Sequence, residues 1–211
     1  TDTEYENGHE NGVGLGGGQQ FIIKNYNYGV GMNWTWTRLP PHLAAIHSFS
    51  TDPTSNKTIY AVASNCIAKS HDGGDTWDPC WNATNLTGSF GDLVIKNSST
   101  MIVVRSGAVP LRTFDGGETW QPMTSATLVA SFSHGVLWSW TGNTLIMLGS
   151  GGSQSDAHPH SAYVWKSTDD GDTWTDETGD LVTMGPGAAQ WYENDFYINS
   201  MGEGIMYKAL E

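Results

Sequence analysis

Basic residues are scarce in this 211-residue chain: Lys and Arg number 9 against 22 Asp and Glu, a formal net charge of −13. A surface that acidic repels a phosphate backbone, which argues against general nucleic-acid binding. Cysteine is limited to 2 residues and forms no Cys-x-x-Cys pair, so no zinc ribbon and no disulfide-built miniature fold is encoded. No run of 18 apolar residues occurs, so no helical membrane span is expected. Helical periodicity of useful length is missing as well. The opening TDTEYENGHENG has neither a signal-peptide apolar stretch nor an initiator Met, and a mature or processed chain is the expectation.

Glycine (26), Trp (10) and Tyr (8) are abundant instead. Residues 70–77 (SHDGGDTW), 113–120 (TFDGGETW) and 167–174 (STDDGDTW) align without gaps on [ST]-x-D-x-G-x-T-W. The aspartates recur after 43 residues (72 to 115) and 54 residues (115 to 169), a spacing typical of repeat architectures. The pattern suits a tight turn between antiparallel strands. Asp72, Asp115 and Asp169 can accept backbone N–H groups from further along the turn. Gly74, Gly117 and Gly171 can take the positive φ that a Cβ resists. The hydroxyls of Ser70, Thr113 and Ser167 can hold the turn from its other side. Trp77, Trp120 and Trp174 open the outgoing strand, cover the hairpin, and need an acceptor for the indole N–H. The aspartates are expected to hold turns, not to catalyse.

Short β-rich runs bounded by Gly, Ser, Asn or Asp flank each turn, at 58–63 and 66–69, 100–105 and 109–112, and 144–149 and 163–166. Residues 196–207 supply an equivalent pair, and inner strands are expected at 42–50, 91–96, 128–133 and 188–192. Each unit then reads as a four-stranded antiparallel sheet, and radial repetition of such sheets is a β-propeller. The expected fold is therefore all-β, a β-propeller over 21–211 behind an acidic, Gly-rich tail at 1–20. Docking of the Trp-rich stretch 33–40 on the last blade would close a four-bladed ring. The strand-like stretch 20–28 is unused by that count and favours part of a larger ring; two chains sharing one ring is a third arrangement.

The three turns resemble the Asp-box (BNR) repeat of sialidases, sortilin-type sorting receptors and xyloglucan-degrading glycoside hydrolases. The resemblance implies a propeller with the turns on its outer rim, away from the central channel, and does not choose between enzyme and binder. A sialidase is expected to carry three clamping arginines converging from several blades, a Tyr–Glu pair, an acid Asp and an Arg-Ile-Pro motif. Arg38, Arg105 and Arg112 are the only arginines; Arg38-Leu39-Pro40 faintly resembles that motif, and also reads as the plain continuation of a Trp strand. Arg105 and Arg112 fall on adjacent strands of one blade, and Lys replaces Arg poorly in bidentate recognition. The similarity to sortilin-type receptors stops short of their Cys-rich module.

Cys66 and Cys80 flank the first turn on strands joined by a hairpin, so a disulfide is expected, with two buried thiols as the alternative. Asn33, Asn56, Asn82, Asn85 and Asn97 head N-glycosylation sequons, which together with a disulfide point to a secreted glycoprotein. His158 and His160 lie beside Asp156 in an insertion of the third unit, with His134 as the nearest further metal ligand by sequence. Solvated loop histidines are the commoner outcome, so no metal and no cofactor is expected; long loops on rigid scaffolds do carry binding. Trp138 and Trp140 share one face of a strand, suited to sugar stacking or to packing between blades. Asp2, Glu4, Glu6 and Glu10 lack the spacing of a Ca²⁺ loop and read as a solvated tail.

The expected function is a secreted module that binds a glycan or a protein, further propeller chains included, with no nucleic acid as partner and no membrane span. Its candidate ligand contacts are His158, His160, Trp138, Trp140, Arg105 and Arg112. The alternative is a sialidase-like or other glycoside hydrolase working through paired carboxylates drawn from Asp92, Asp180, Glu193 and Glu203, or one chain of a processed larger propeller enzyme or receptor.

Overall fold

Pro40 and Pro41 immediately precede the first expected inner strand, 42–50, and delay its start. Proline supplies no ladder N–H, so Pro41–Leu43 forms a 3-10 turn closed by the Leu43 amide on the Pro40 carbonyl at 2.9 Å. The strand begins only at Ile46. The computed structural model describes residues 21–25, 34–43, 46–83, 85–105, 108–124, 137–150, 162–179, 186–192, 195–200 and 204–209. The expectations for Asn33, for His134, His158, His160, Asp156, Asp180, Glu193 and Glu203, and for the 1–20 tail lie outside these residues.

The regular structure of the described residues is all-β apart from that one turn. The strands β1 (Phe21–Asn25) and β2 (Trp34–Arg38) form an antiparallel pair with Phe21 opposite Arg38 and Asn25 opposite Trp34. A three-stranded sheet follows, β3 (Ile46–Thr51), β4 (Ile59–Ala63) and β5 (Cys66–Ser70). The next sheet has four strands, β6 (Phe90–Ile95), β7 (Met101–Arg105), β8 (Ala108–Thr113) and β9 (Gln121–Pro122). Another four-stranded sheet holds β10 (Leu137–Thr141), β11 (Thr144–Ser150), β12 (Ala162–Ser167) and β13 (Thr175–Asp176). The last has three, β14 (Pro186–Tyr192), β15 (Asp195–Ser200) and β16 (Gly204–Ala209). Within each sheet the spatial order is the chain order, a plain meander.

Strand pairing overturns two expectations. The strand 33–40 finds its ladder partner in β1, not in the C-terminal sheet, so the expected seam is not the pairing made by β2. In the third unit the strand paired with β11 is β10, four residues beyond the end of the expected 128–133, which lies outside the described residues. A two-residue hairpin through Gly142, at φ +52°, sets Thr141 opposite Thr144 and fixes that register locally. The outgoing Trp strands are also short: β9 and β13 have two residues each. After Trp77 the chain forms no ladder strand, yet the Asp78 and Trp81 amides still donate to the Lys69 and Ile67 carbonyls of β5, each at 2.8 Å.

The chain divides into two compact units, Thr1–Arg105 with Thr113–Trp120, and Ser106–Arg112 with Gln121–Glu211. In the first, Tyr60–Ala63 of β4 and Cys66–Ala68 of β5 are buried. Leu39, Leu43, Ala61, Ala63, Cys66 and Ala68 cluster there, with Ile22, Ile46, Trp77 and Cys80 packed against them. In the second, Ile146, Leu148, Val164, Phe196 and Ile198 form the corresponding cluster. Apolar burial of this kind, at about 25 cal/mol per Å², is what holds each stack of sheets.

Candidate functional site

Each meander has two unlike ends. In the three sheets that carry it, the octapeptide turn leaves the third strand at one end; at the other, the second and third strands are joined by a loop. The turn end is a closed hydrogen-bond circuit repeated three times. In the first turn the Ser70 hydroxyl donates to Asp72 Oδ1 at 2.8 Å and accepts the Gly74 amide at 2.7 Å. The Thr76 amide and hydroxyl then donate to the two oxygens of Asp72, at 2.9 and 2.6 Å. Thr113, Asp115, Gly117 and Thr119 repeat the arrangement, as do Ser167, Asp169, Gly171 and Thr173. Gly74, Gly117 and Gly171 have φ of +88°, +96° and +90°. The indole N–H groups of Trp120 and Trp174 donate to the Gly117 and Gly171 carbonyls, both at 3.1 Å. Trp77 differs: its buried Nε1 finds no acceptor among the described residues, and its ring lies 6.2 Å from that of Phe49.

These bonds favour the ionised carboxylates. The Thr119 hydroxyl and amide, followed by the Thr113 hydroxyl, hold Asp115 down to about 2. Burial alone would raise Asp169, but the Thr173 hydroxyl and amide with the Ser167 hydroxyl outweigh it and leave Asp169 at about 2. Asp72 is lowered in the same direction, chiefly by Thr76. A depressed folded-state pKa contributes stability that is present above the unfolded value, near 4, and is lost as pH falls through the folded value. The midpoint of urea unfolding is therefore expected to drop most steeply between about pH 4 and 2. A variant with Asp115→Asn and Asp169→Asn should show a flatter profile in that window; an unchanged slope would refute the assignment.

The acids at the sixth position of the turns do something else. Asp75 accepts the Lys24 ammonium from β1 and, at 3.5 Å, the Thr37 hydroxyl of β2. Asp172 accepts Arg112 Nη2 at 2.5 Å, while Arg112 Nη1 donates to the Asp170 carbonyl at 2.6 Å. Arg112 thus belongs to the turn end. Arg105 lies at the loop end of β7, where Nη1 donates to the Thr87 carbonyl at 2.8 Å and burial lowers the guanidinium's pKa.

The loop ends differ in length. Two residues join β4 to β5, two join β7 to β8 and three join β15 to β16, whereas residues 151–161 join β11 to β12. The ladder beneath that loop stays paired through Ser150 opposite Ala162. On the neighbouring β10, Leu137 pairs Leu148 and Trp138 pairs Met147, which places Trp138 opposite the middle of β11, three residues short of the insertion carrying His158 and His160. Trp140 lies further towards the turn end, opposite Leu145, with its ring half-buried. Of the alternative carboxylates, Asp92 is on β6, exposed, and accepts the Ser48 hydroxyl. Among the described residues no three His, Cys, Asp or Glu side chains converge as a metal site would require.

Cys66 and Cys80 form a disulfide with a Cα–Cα distance of 5.2 Å. Asn56 and Asn82 are exposed. Asn85 has φ +67° and its amide donates to the Trp120 carbonyl at 3.5 Å, while Asn97 Oδ1 accepts the Ser99 and Thr100 amides at 3.0 and 2.9 Å. No helix of the described residues is long and apolar enough to cross a membrane.

No family model matches this chain, and neither does any curated protein. Solved structures do. YCF48 bound to D1 peptide superposes with a TM-score of 0.55 at 18% identity, over 76% of this chain and 50% of that one. YCF48 from Cyanidioschyzon merolae gives 0.57 at 16% identity, over 81% and 54%. An ancestral GH74 enzyme gives 0.57 at 14% identity, over 78% and 23%. The chain spans about half the length of the two YCF48 chains. At these identities the likeness is one of fold, and the fold is that of a β-propeller built of antiparallel meanders.

Proposed function

We propose that this chain is an extracellular Asp-box β-propeller that binds a protein or peptide partner, with a glycan as the second ligand class to test. The observation that carries the reading is the 151–161 loop, an 11-residue insertion on a fully paired hairpin, with Trp138 on the neighbouring strand of the same sheet. A long loop held by a rigid stem presents side chains without straining the scaffold. His158, His160 and Trp138 are its ligand contacts in this proposal, and Arg105 stands at the loop end of its own sheet. Arg112 is left out, because its guanidinium engages the third turn. A peptide-bound structure of the same fold supports the partner class. The disulfide and the exposed sequons at Asn56 and Asn82 support an extracellular setting.

The turn aspartates are not catalytic in this reading, since each is saturated by its own turn. The hydrolase alternative draws on the likeness to a GH74 enzyme, with Asp92 as the one candidate carboxylate in the described residues. Replacing 151–161 by Asn-Gly should leave the thermal midpoint nearly unchanged and weaken binding about tenfold or more on peptide and glycan arrays. Unaltered array signal would remove the loop from the site. Turnover of an oligosaccharide panel, lost on Asp92→Asn, would replace the binding reading with the enzymatic one.

A further inference from the structure

Two of the glycosylation sequons occupy equivalent places in the first unit. The loops 52–58, between β3 and β4, and 96–100, between β6 and β7, each join the first strand of a sheet to its second. Each also accepts the amide of the fourth octapeptide residue. Gly73 donates to the Lys57 carbonyl at 2.7 Å, and Gly116 to the Ser99 carbonyl at 3.0 Å. Both acceptors belong to sequons, Asn56-Lys57-Thr58 and Asn97-Ser98-Ser99. Asn56 and Asn97 therefore stand at the turn end of successive sheets.

Neither loop needs the side-chain nitrogen of its asparagine. In the first, Asp52 Oδ1 accepts the Thr54 amide and hydroxyl at 2.8 and 2.6 Å. Ser55 Oγ accepts the Lys57 and Thr58 amides at 3.3 and 3.2 Å. Asn56 takes no part in this closure and is exposed. In the second, Asn97 Oδ1 holds the loop through the Ser99 and Thr100 amides, while Nδ2 makes no hydrogen bond among the described residues. An N-linked sugar leaves Oδ1 untouched, so both bonds would survive the modification.

Asn85 is the contrast, because it turns the same nitrogen to the Trp120 carbonyl at 3.5 Å from a backbone at φ +67°. It also stands at the other end of the sheets, just before β6, where the Phe90 amide donates to the Ser64 carbonyl of the β4–β5 loop at 2.8 Å. Asn33, and Thr84 of the Asn82 sequon, lie outside the described residues.

We infer that N-linked glycans on Asn56 and Asn97 cover the turn end of the first unit and bar a partner from it. The covalent step is a transfer from a polyprenyl-pyrophosphate-linked oligosaccharide. Asn Nδ2 bonds to C1 of the sugar and gives up one proton. The C1–O bond breaks, and the pyrophosphate leaves with the bonding pair. The inference rests on the extracellular reading proposed above, since a chain meets that donor on the secretory route.

The test is peptide mapping of the chain isolated from its own source, with extracellular fluid and lysed cells kept apart. Peptide N-glycosidase in heavy-oxygen water converts each glycosylated Asn to a heavy Asp, which mass spectrometry reads. Heavy Asp is expected at positions 56 and 97 of the extracellular chain, with Asn85 unconverted. Unmodified Asn at either position in extracellular chain overturns the inference and leaves the extracellular reading standing. A chain found only inside cells, and unmodified, overturns both. Conversion at Asn85 would overturn the selection assigned to its Trp120 contact. Removing the glycans from the folded chain should change its signal on a peptide array by less than about twofold. A larger gain or loss would overturn the shielding of the turn end.

Discussion

Gly117→Ala is expected to destabilise the protein by about 3 kcal/mol, combining the cost of a positive φ with that of overpacking. Gly117 has φ +96°, and a Cβ there would meet Trp81 Cζ2 at 2.9 Å, Cη2 at 3.0 Å and Cε2 at 3.2 Å. That indole cannot retreat easily: its ring lies 5.4 Å from that of Tyr60 and 5.8 Å from that of Trp120, both fully buried. Trp120 is tied in turn to the Gly117 carbonyl. Gly73→Ala is the control, because Gly73 has φ +77° but nothing lies within 4 Å of the place its new methyl would take. Only backbone strain remains there, about 1–2 kcal/mol. Urea unfolding followed by tryptophan fluorescence should separate the two variants, and equal losses would mean that Trp81 yields freely.

Removal of the Cys66–Cys80 bridge by paired alanine substitution is expected to cost about 3 kcal/mol, the value for a loop of about 15 residues, and so to lower Tm by about 6–12 °C. The bridge spans 14 residues and joins β5 to the segment leaving the first turn. That segment has no ladder of its own, only the two amide bonds from Asp78 and Trp81 to β5. The disulfide therefore does at the first sheet what β9 and β13 do at their own sheets. Thermal melts of the oxidised, reduced and doubly substituted chains measure it. A substituted chain melting with the oxidised one would assign the segment's stability to Trp77 and Trp81 instead.

The turns were legible in the sequence because the hydrogen bonds of the circuit close within four residues, so pattern and structure share one length scale. Even so, the seventh-position threonines passed unassigned, although Thr76, Thr119 and Thr173 were visible in the shared motif; their hydroxyls clamp the carboxylates. The latches were not legible. Lys24 to Asp75 and Arg112 to Asp172 join residues 51 and 60 positions apart, and only stacking of sheets brings them together. The inner strand of the third unit was missed for a different reason: 128–133 and 137–141 are both apolar and β-rich, and the Gly142 hairpin decides between them. For the candidate site, the long insertion was plain from spacing, whereas the placement of Trp138 opposite the middle of β11 required the β10–β11 register.

A circuit that completes itself inside eight residues has a consequence for how such chains change over time. A duplicated or deleted gene segment bearing one octapeptide carries its corner intact, with no distant mutation needed to repair it. Only the latch between a cation and the next corner's acid must be rematched, and Lys24 and Arg112 show that either base serves. The number of wedges in such a lineage is then free to drift, while each corner stays fixed by its own chemistry.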